Sequence, residues 1–158
     1  MDCIKINCTY ADTTYEVEFP RNMTKYSTFL DNACGMDSNI DVMEFPLPVQ
    51  KECWTHIKQF LQLRLDNPER ADSMDEIATN LKQQDGLDEL DRALVDTIDI
   101  MDSTRLADAA NKLGIRSIEV IAAKRIAIAV SRENDPAVID AMFKPKPVED
   151  RPYYHIIP

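Results

Sequence analysis

The sequence predicts an α+β fold, with a small sheet of about three strands near the N-terminus packed with helices that fill the rest of the chain. Three observations carry this expectation. Two early segments alternate apolar and polar side chains. Most later apolar residues recur at three- and four-residue spacing. Only 3 glycines occur in 158 residues, too few for glycine-built sandwiches, solenoids or phosphate-cradling loops. At this length one domain with a sizeable core is expected.

The first strand runs from Cys3 to Cys8, where Ile4, Ile6 and Cys8 alternate with Lys5 and Asn7. The second holds Tyr15, Val17 and Phe19, alternating with Glu16 and Glu18. The polar segment from Thr9 to Thr14 joins them as an antiparallel hairpin, and Pro20 ends the second strand by removing a ladder donor. Asn22 to Cys34 is expected to be one amphipathic helix, with Met23, Tyr26, Phe29, Leu30 and Ala33 on its apolar face and Gly35 as its stop. Pro46 and Pro48 allow only a short edge strand from Val42 onward. A second helix from Val49 carries Cys53, Trp54, Ile57, Phe60, Leu61 and Leu65 in its apolar stripe and stops at Asn67-Pro68.

Residues 66–90 are polar, acidic and short of aromatics, and read as a long mobile linker, although Met74, Ile77, Ala78 and Leu81 share helical spacing. That spacing resumes with Leu87, Leu90, Leu94, Val95 and Ile98. Asp102-Ser103 is expected to cap a helix running to Leu113, closed by Gly114, and Ser117 to cap the next. In that next helix, from Ile118 to about Glu133, Val120, Ile121, Ala122, Ala123, Ile126, Ala127, Ile128, Ala129 and Val130 cover well over half the circumference. One core face does not use them all, so either a partner covers the remainder or the chain buries it internally. Asp135-Pro136 supplies an N-cap followed by proline at the first helical position, opening a short helix through Ile139, Met142 and Phe143. Lys144-Pro145-Lys146-Pro147 ends regular structure, and the apolar end Tyr153-Tyr154-His155-Ile156-Ile157 is expected to dock on something.

Composition narrows the chemistry. Lys plus Arg number 18 and Asp plus Glu 28, a net charge of -10, so nucleic acid and anionic membranes are poor partners. No apolar run approaches the roughly 20 residues of a bilayer span, and the N-terminus lacks a basic region followed by an apolar stretch, so a cytoplasmic or nuclear protein is expected. Cys3, Cys8, Cys34 and Cys53 form no C-x-x-C pair and read as reduced, mostly buried thiols; a disulfide framework would fit a secreted chain. Cys53 and His56 share a helical face and could offer two metal ligands, but no further Cys or His pair completes tetrahedral coordination. Helix packing for Cys53 and a surface position for His56 are the plainer expectation. His155 stands alone, and the carboxylates read as a solvated surface. Trp54 reads as a core anchor. No G-x-G-x-x-G, Walker or G-x-S-x-G pattern occurs. The expectation is a protein that is not an enzyme and has no cofactor and no metal.

The order of elements, together with particular residues, resembles the S-phase kinase-associated (Skp) adaptor family of SCF ubiquitin ligases, whose fold is BTB/POZ with a C-terminal helical extension. Ile4-Lys5-Ile6, Tyr15-Glu16-Val17, Gly35-Met36-Asp37, Pro46-Leu47-Pro48 and Gln59-Phe60 are similar to that family's segments in order and roughly in spacing. Ala109-Ala110-Asn111, Leu113, Ile115 and the stretch from Ile118 to Phe143 are similar to its A-A-N-x-L-x-I, long helix and P-x-x-I-x-x-x-F, without a gap. The resemblance implies a BTB/POZ-like core over 1–113, including the acidic loop at 66–90, a helical extension over 114–143 that binds F-box proteins, and a tail over 144–158. It implies a non-catalytic adaptor that links an F-box or F-box-like substrate receptor to a cullin.

Carried onto this chain, the F-box-binding face comprises Ile118, Ile121, Ile126, Val130, Pro136, Ile139, Met142 and Phe143, and the cullin-facing surface includes Asn111 and Lys112. Two departures stand out. Lys112 occupies the place of the family's Tyr, so an aromatic anchor has become a charge and weak cullin affinity is expected. The family's acidic, Trp-bearing terminal helix is replaced by a proline-broken tail. A Skp-like structural or scaffold subunit of an assembly unrelated to ubiquitin, such as a chromosome-associated complex, is therefore the alternative. A homodimer through the BTB core is a third reading.

Overall fold

The computed structural model describes residues 2–67 and 89–144. Strands β1 (Cys3–Tyr10) and β2 (Thr13–Pro20) pair antiparallel, with Ile4 opposite Phe19 and Cys8 opposite Tyr15. Strand β3 (Val42–Glu44) joins the other side of β1 in parallel, giving the order β2-β1-β3. The hairpin is longer than its apolar alternation predicts: Thr9, Tyr10, Thr13 and Thr14 continue the ladder, and only Ala11 and Asp12 turn. Both have positive φ, 49° and 67°, the left-handed pair that a two-residue hairpin turn of matching twist requires. Neither is glycine, so each carries a Cβ in a region that disfavours it.

The helices are α1 (Thr28–Met36), α2 (Lys51–Asp66), α3 (Glu89–Val95), α4 (Ile100–Leu113), α5 (Arg116–Ser131) and α6 (Pro136–Met142), with a 3-10 helix at Arg21–Tyr26 before α1. The result is a mixed α+β architecture with a small three-stranded sheet. The single helix expected from Asn22 to Cys34 is thus two. Ser27 breaks it, with extended φ and ψ of -108° and 118°, because its hydroxyl accepts from Leu30 N–H at 3.1 Å and donates to Leu113 O at 2.6 Å. Gly35 does not stop α1, which continues to Met36.

Two further caps differ from expectation. Asp99, not Asp102-Ser103, caps α4, accepting from Asp102 N–H at 2.8 Å; Asp102 and Ser103 lie buried in its first turns. Ser117 lies inside α5, whose N-cap position is Ile115 and which ends at Ser131. Most of the stretch 66–90, expected to be a mobile linker, and the tail beyond Lys144 lie outside the described residues.

One core runs through these elements. Ile4, Ile6 and Cys8 of β1, Val17 and Phe19 of β2 and Trp54, Ile57, Phe60 and Leu61 of α2 are buried in one cluster, the residues that alternation and helical spacing single out, and Leu106, Ala110 and Leu113 of α4 join them. The core continues into α5 through Ile118, Ile121 and Ala122. Edge-to-face aromatic contacts cross it, from Phe29 to Phe45 at 4.9 Å, Phe45 to Trp54 at 5.7 Å and Trp54 to Phe19 at 6.1 Å. Trp54 Nε1 donates to Tyr15 Oη at 2.9 Å, and that hydroxyl donates to Val49 O. Burial holds the Tyr15 phenol well above its ordinary titration range, so it remains a donor.

Two substitutions test the backbone constraints. Replacing Ala11-Asp12 by Asn-Gly should stabilise the hairpin by about 1 kcal/mol, raising the midpoint of a circular dichroism melt by roughly 2–4 °C. Gly114→Ala should act in the opposite direction. Gly114 has φ 71° and an added Cβ would stand 2.9 Å from Thr28 Cβ. The expected cost is about 1–3 kcal/mol, read in the same melt.

Candidate interaction site

The over-wide apolar helix divides along its length. In the first half of α5, Ile118, Val120, Ile121 and Ala122 are buried. In the second half only Ile128 remains at the edge of burial, while Ile126, Ala127, Ala129 and Val130 are half-buried. Lys124 is fully buried between these halves. The expected partner face is corrected accordingly: Ile118 and Ile121 belong to the internal core, because α4 and α5 pack closely along that side. Partners cannot reach them in this conformation.

A turn with defined geometry leads to α6. Glu133 Oε1 accepts from Asn134 N–H and Asp135 N–H, both at 3.0 Å, and Arg132 N–H closes α5 on Ile128 O at 3.2 Å. Asp135 then caps α6, accepting from Ala137 N–H at 2.9 Å, with Pro136 at the first helical position as the sequence predicts. None of the residues of α6 is buried. Pro136 is exposed, Ile139, Met142 and Phe143 are half-buried, and Val138 is 41% exposed. Val138 escaped the sequence reading, which named Pro136, Ile139, Met142 and Phe143. The predicted residues that remain accessible are thus Ile126 and Val130 on α5 and Pro136, Ile139, Met142 and Phe143 at α6.

A second predicted pair sits at the end of α4. Asn111 is exposed and its Nδ2 donates to Glu119 Oε2 at 3.0 Å. Lys112 is half-buried rather than free: Nζ donates to Pro48 O at 2.7 Å and pairs with Asp108 Oδ2 at 2.7 Å. It therefore ties α4 to the loop before α2. A small cavity of about 90 Å³ opens beside it, with Tyr10, Gln50, Cys53 and Arg105 among its walls.

The groups weighed for metal chemistry sit elsewhere than expected in one respect. His56 is 2% exposed, an interior residue and not a surface one, because it lies on the buried side of α2. Cys53 is buried beside it, and burial, reinforced by the charge of Glu52, pushes its thiol far above the ordinary range. That favours the protonated, unreactive thiol. Among the described residues no three of His, Cys, Asp and Glu gather in a way that could hold a metal ion. Cys8 is likewise buried, Cys3 and Cys34 are half-buried, and all four cysteines are free thiols. No described helix is long and apolar enough to cross a membrane.

The chain matches no protein-family model, and no curated protein matches it.

The division of α5 predicts a contrast between neighbouring substitutions. Ile121→Ala should cost about 2–5 kcal/mol as a buried large-to-small change. Val130→Asp and Phe143→Ala should leave the chain folded, with much smaller shifts of the thermal midpoint, since both side chains already meet solvent. A melt series of the three variants checks this.

Proposed function

We propose that this chain is a non-catalytic adaptor of the BTB/POZ type, akin to the Skp family, whose α5 and α6 receive an F-box-type helical motif in an SCF-like ubiquitin ligase of the cytoplasm or nucleus. The observation that carries this reading is α6 itself: a helix capped by Asp135, started by Pro136 and bearing Val138, Ile139 and Met142, none of whose residues the chain buries. A helix so short is unstable in isolation, and its apolar side chains gain most when a second chain covers them. The three-stranded sheet followed by helices, and the resemblance of Ala109-Ala110-Asn111 through Phe143 to the family's segment, support the reading. The partner surface is assigned to Ile126, Val130, Pro136, Ile139, Met142 and Phe143, with Val138 added.

Lys112 favours a second reading for the other surface. Its ammonium is already committed to Pro48 O and Asp108, so an apolar partner docking there must strip or bury a paired charge. This supports a Skp-like scaffold subunit that binds an F-box-like protein without a cullin.

Coexpression with F-box peptides and with a cullin N-terminal domain separates the two. The expected result is copurification of an F-box peptide, with Val130→Asp or Phe143→Ala weakening it at least about tenfold in folded protein. Unchanged affinity in these folded variants would remove the site. Cullin binding should be weak and should strengthen in Lys112→Tyr; sub-micromolar binding by the unaltered chain would restore the full ligase role. Light scattering after size-exclusion chromatography reports whether a second copy occupies either surface.

A further inference from the structure

Among the described residues, no strand pairs with the outer side of β2. The pairing of β1 with β3 uses Lys5, whose N–H donates to Asp41 O at 2.8 Å, and Asn7, whose carbonyl accepts from Phe45 N–H at 2.9 Å. Successive residues of a strand direct their backbone groups to alternate sides, so Ile4, Ile6 and Cys8 face β2 and exchange bonds with Phe19, Val17 and Tyr15. The N–H and C=O groups of Thr14, Glu16 and Glu18 therefore point away from the sheet. Among the described residues a single group meets them, Lys58 Nζ, which reaches Glu18 O at 3.3 Å. The register holds without a slip over the 8 residues of β2, and no bulge turns this edge away.

Beside the edge lies a cavity of about 260 Å³. One wall is β2 from Glu16 to Glu18; the other is α2, through Lys51, Trp54, Thr55 and Lys58. We propose that an extended peptide segment with basic residues at alternate positions docks antiparallel on the β2 edge, adding a fourth strand and setting an intervening side chain into this cavity. In antiparallel pairing, the residues that exchange backbone bonds with Glu16 and Glu18 also share their face of the sheet, so Lys or Arg there pairs directly with the two carboxylates. The intervening residues face Val17 and Trp54, where Lys51 and Lys58 disfavour further positive charge. The edge thus selects alternation and not merely basic composition. It also selects against a second copy of β2, which would set Glu16 and Glu18 against their own kind. The net charge of -10 raises the local concentration of such a segment.

The probe is a fluorescent peptide of alternating lysine and valine, eight residues long, followed by anisotropy and by hydrogen exchange of the protein's amides. Saturation should protect the amides of Thr14, Glu16 and Glu18. Glu16→Lys with Glu18→Lys should lower affinity at least about tenfold. On the unaltered chain, the same peptide N-methylated at its lysine amides, and a peptide with its four lysines in one block, should each bind at least about tenfold more weakly. Equal binding of either control peptide would mean bulk charge attraction and overturn the proposal. Absence of protection at the three amides would overturn it too, as would protection that grows with protein concentration alone, since that places a second copy on the edge.

Discussion

The joint between Ser27-Thr28 and Leu113-Gly114 decides how the two halves of this chain meet. Ser27 closes α1 with one lone pair and holds Leu113 O with its proton, while Thr28 N–H and Thr28 Oγ1 both donate to Gly114 O, at 3.3 Å and 3.2 Å. On the other side, Gly114 turns left-handed to end α4, and Ile115 N–H returns to Ala110 O at 2.8 Å, the pattern that satisfies a helix's last carbonyls. Three backbone groups that would otherwise be stranded at two helix ends, Thr28 N–H, Leu113 O and Gly114 O, are thereby satisfied by residues 86 positions apart in sequence. The approach leaves no room for a Cβ at Gly114, so the direction in which α5 departs from the core follows from this contact.

A second buried polar contact does comparable work for α2 and α3. Arg64 and Asp91 meet through two bonds, Nη1 to Oδ1 at 2.6 Å and Nη2 to Oδ2 at 2.9 Å, with side-chain exposures of 5% and 1%. The paired fork geometry compensates part of the desolvation that a buried ion pair demands, and loss of either partner costs about 3–5 kcal/mol because the other charge is left in the interior. Its placement matters more than its net contribution. It joins the end of α2 to the beginning of α3, residues 27 positions apart in sequence. Together with the Trp54, Tyr15 and Val49 bonds, it fixes α2 at both ends and so fixes the wall that faces the β2 edge.

What could be read in the sequence was the part governed by local periodicity. The strands, α2, the edge position of β3 and the Asp135-Pro136 start of α6 follow from alternation, apolar stripes and proline geometry. What escaped depends on distant partners. Nothing near Ser27 announces that its proton goes to Leu113 O, so the split of the expected helix was hidden; Ser27 is nonetheless an N-cap residue type three positions before Leu30, a local signal that the apolar spacing overrode. The choice of Asp99 over Asp102-Ser103 as the cap of α4 was also legible in principle, since both fit the rule and the chain used the earlier one. At the interaction site the residue types were readable but their depth was not. Ile121 and Ile126 differ by little more than one helical turn, and only the packing of α4 on α5 separates a core residue from a surface one.

That separation explains how the chain presents an apolar surface without losing its fold. Starting a helix is the unfavourable step and extending it is cheap, so the turns of α5 held in the core by Ile118, Ile121 and Ala122 carry the nucleation cost, and the turns bearing Ile126 and Val130 follow as an extension. The short α6 has no buried residue to anchor it, and among the described residues it is organised locally by the Glu133 carboxylate on Asn134 and Asp135, the Asp135 cap and the fixed φ of Pro136. Each of these acts within three residues and needs no partner. A surface arranged in advance in this way spares an incoming helix part of the ordering cost of association, so its affinity depends on the few side chains it covers and not on the remaking of the fold beneath them.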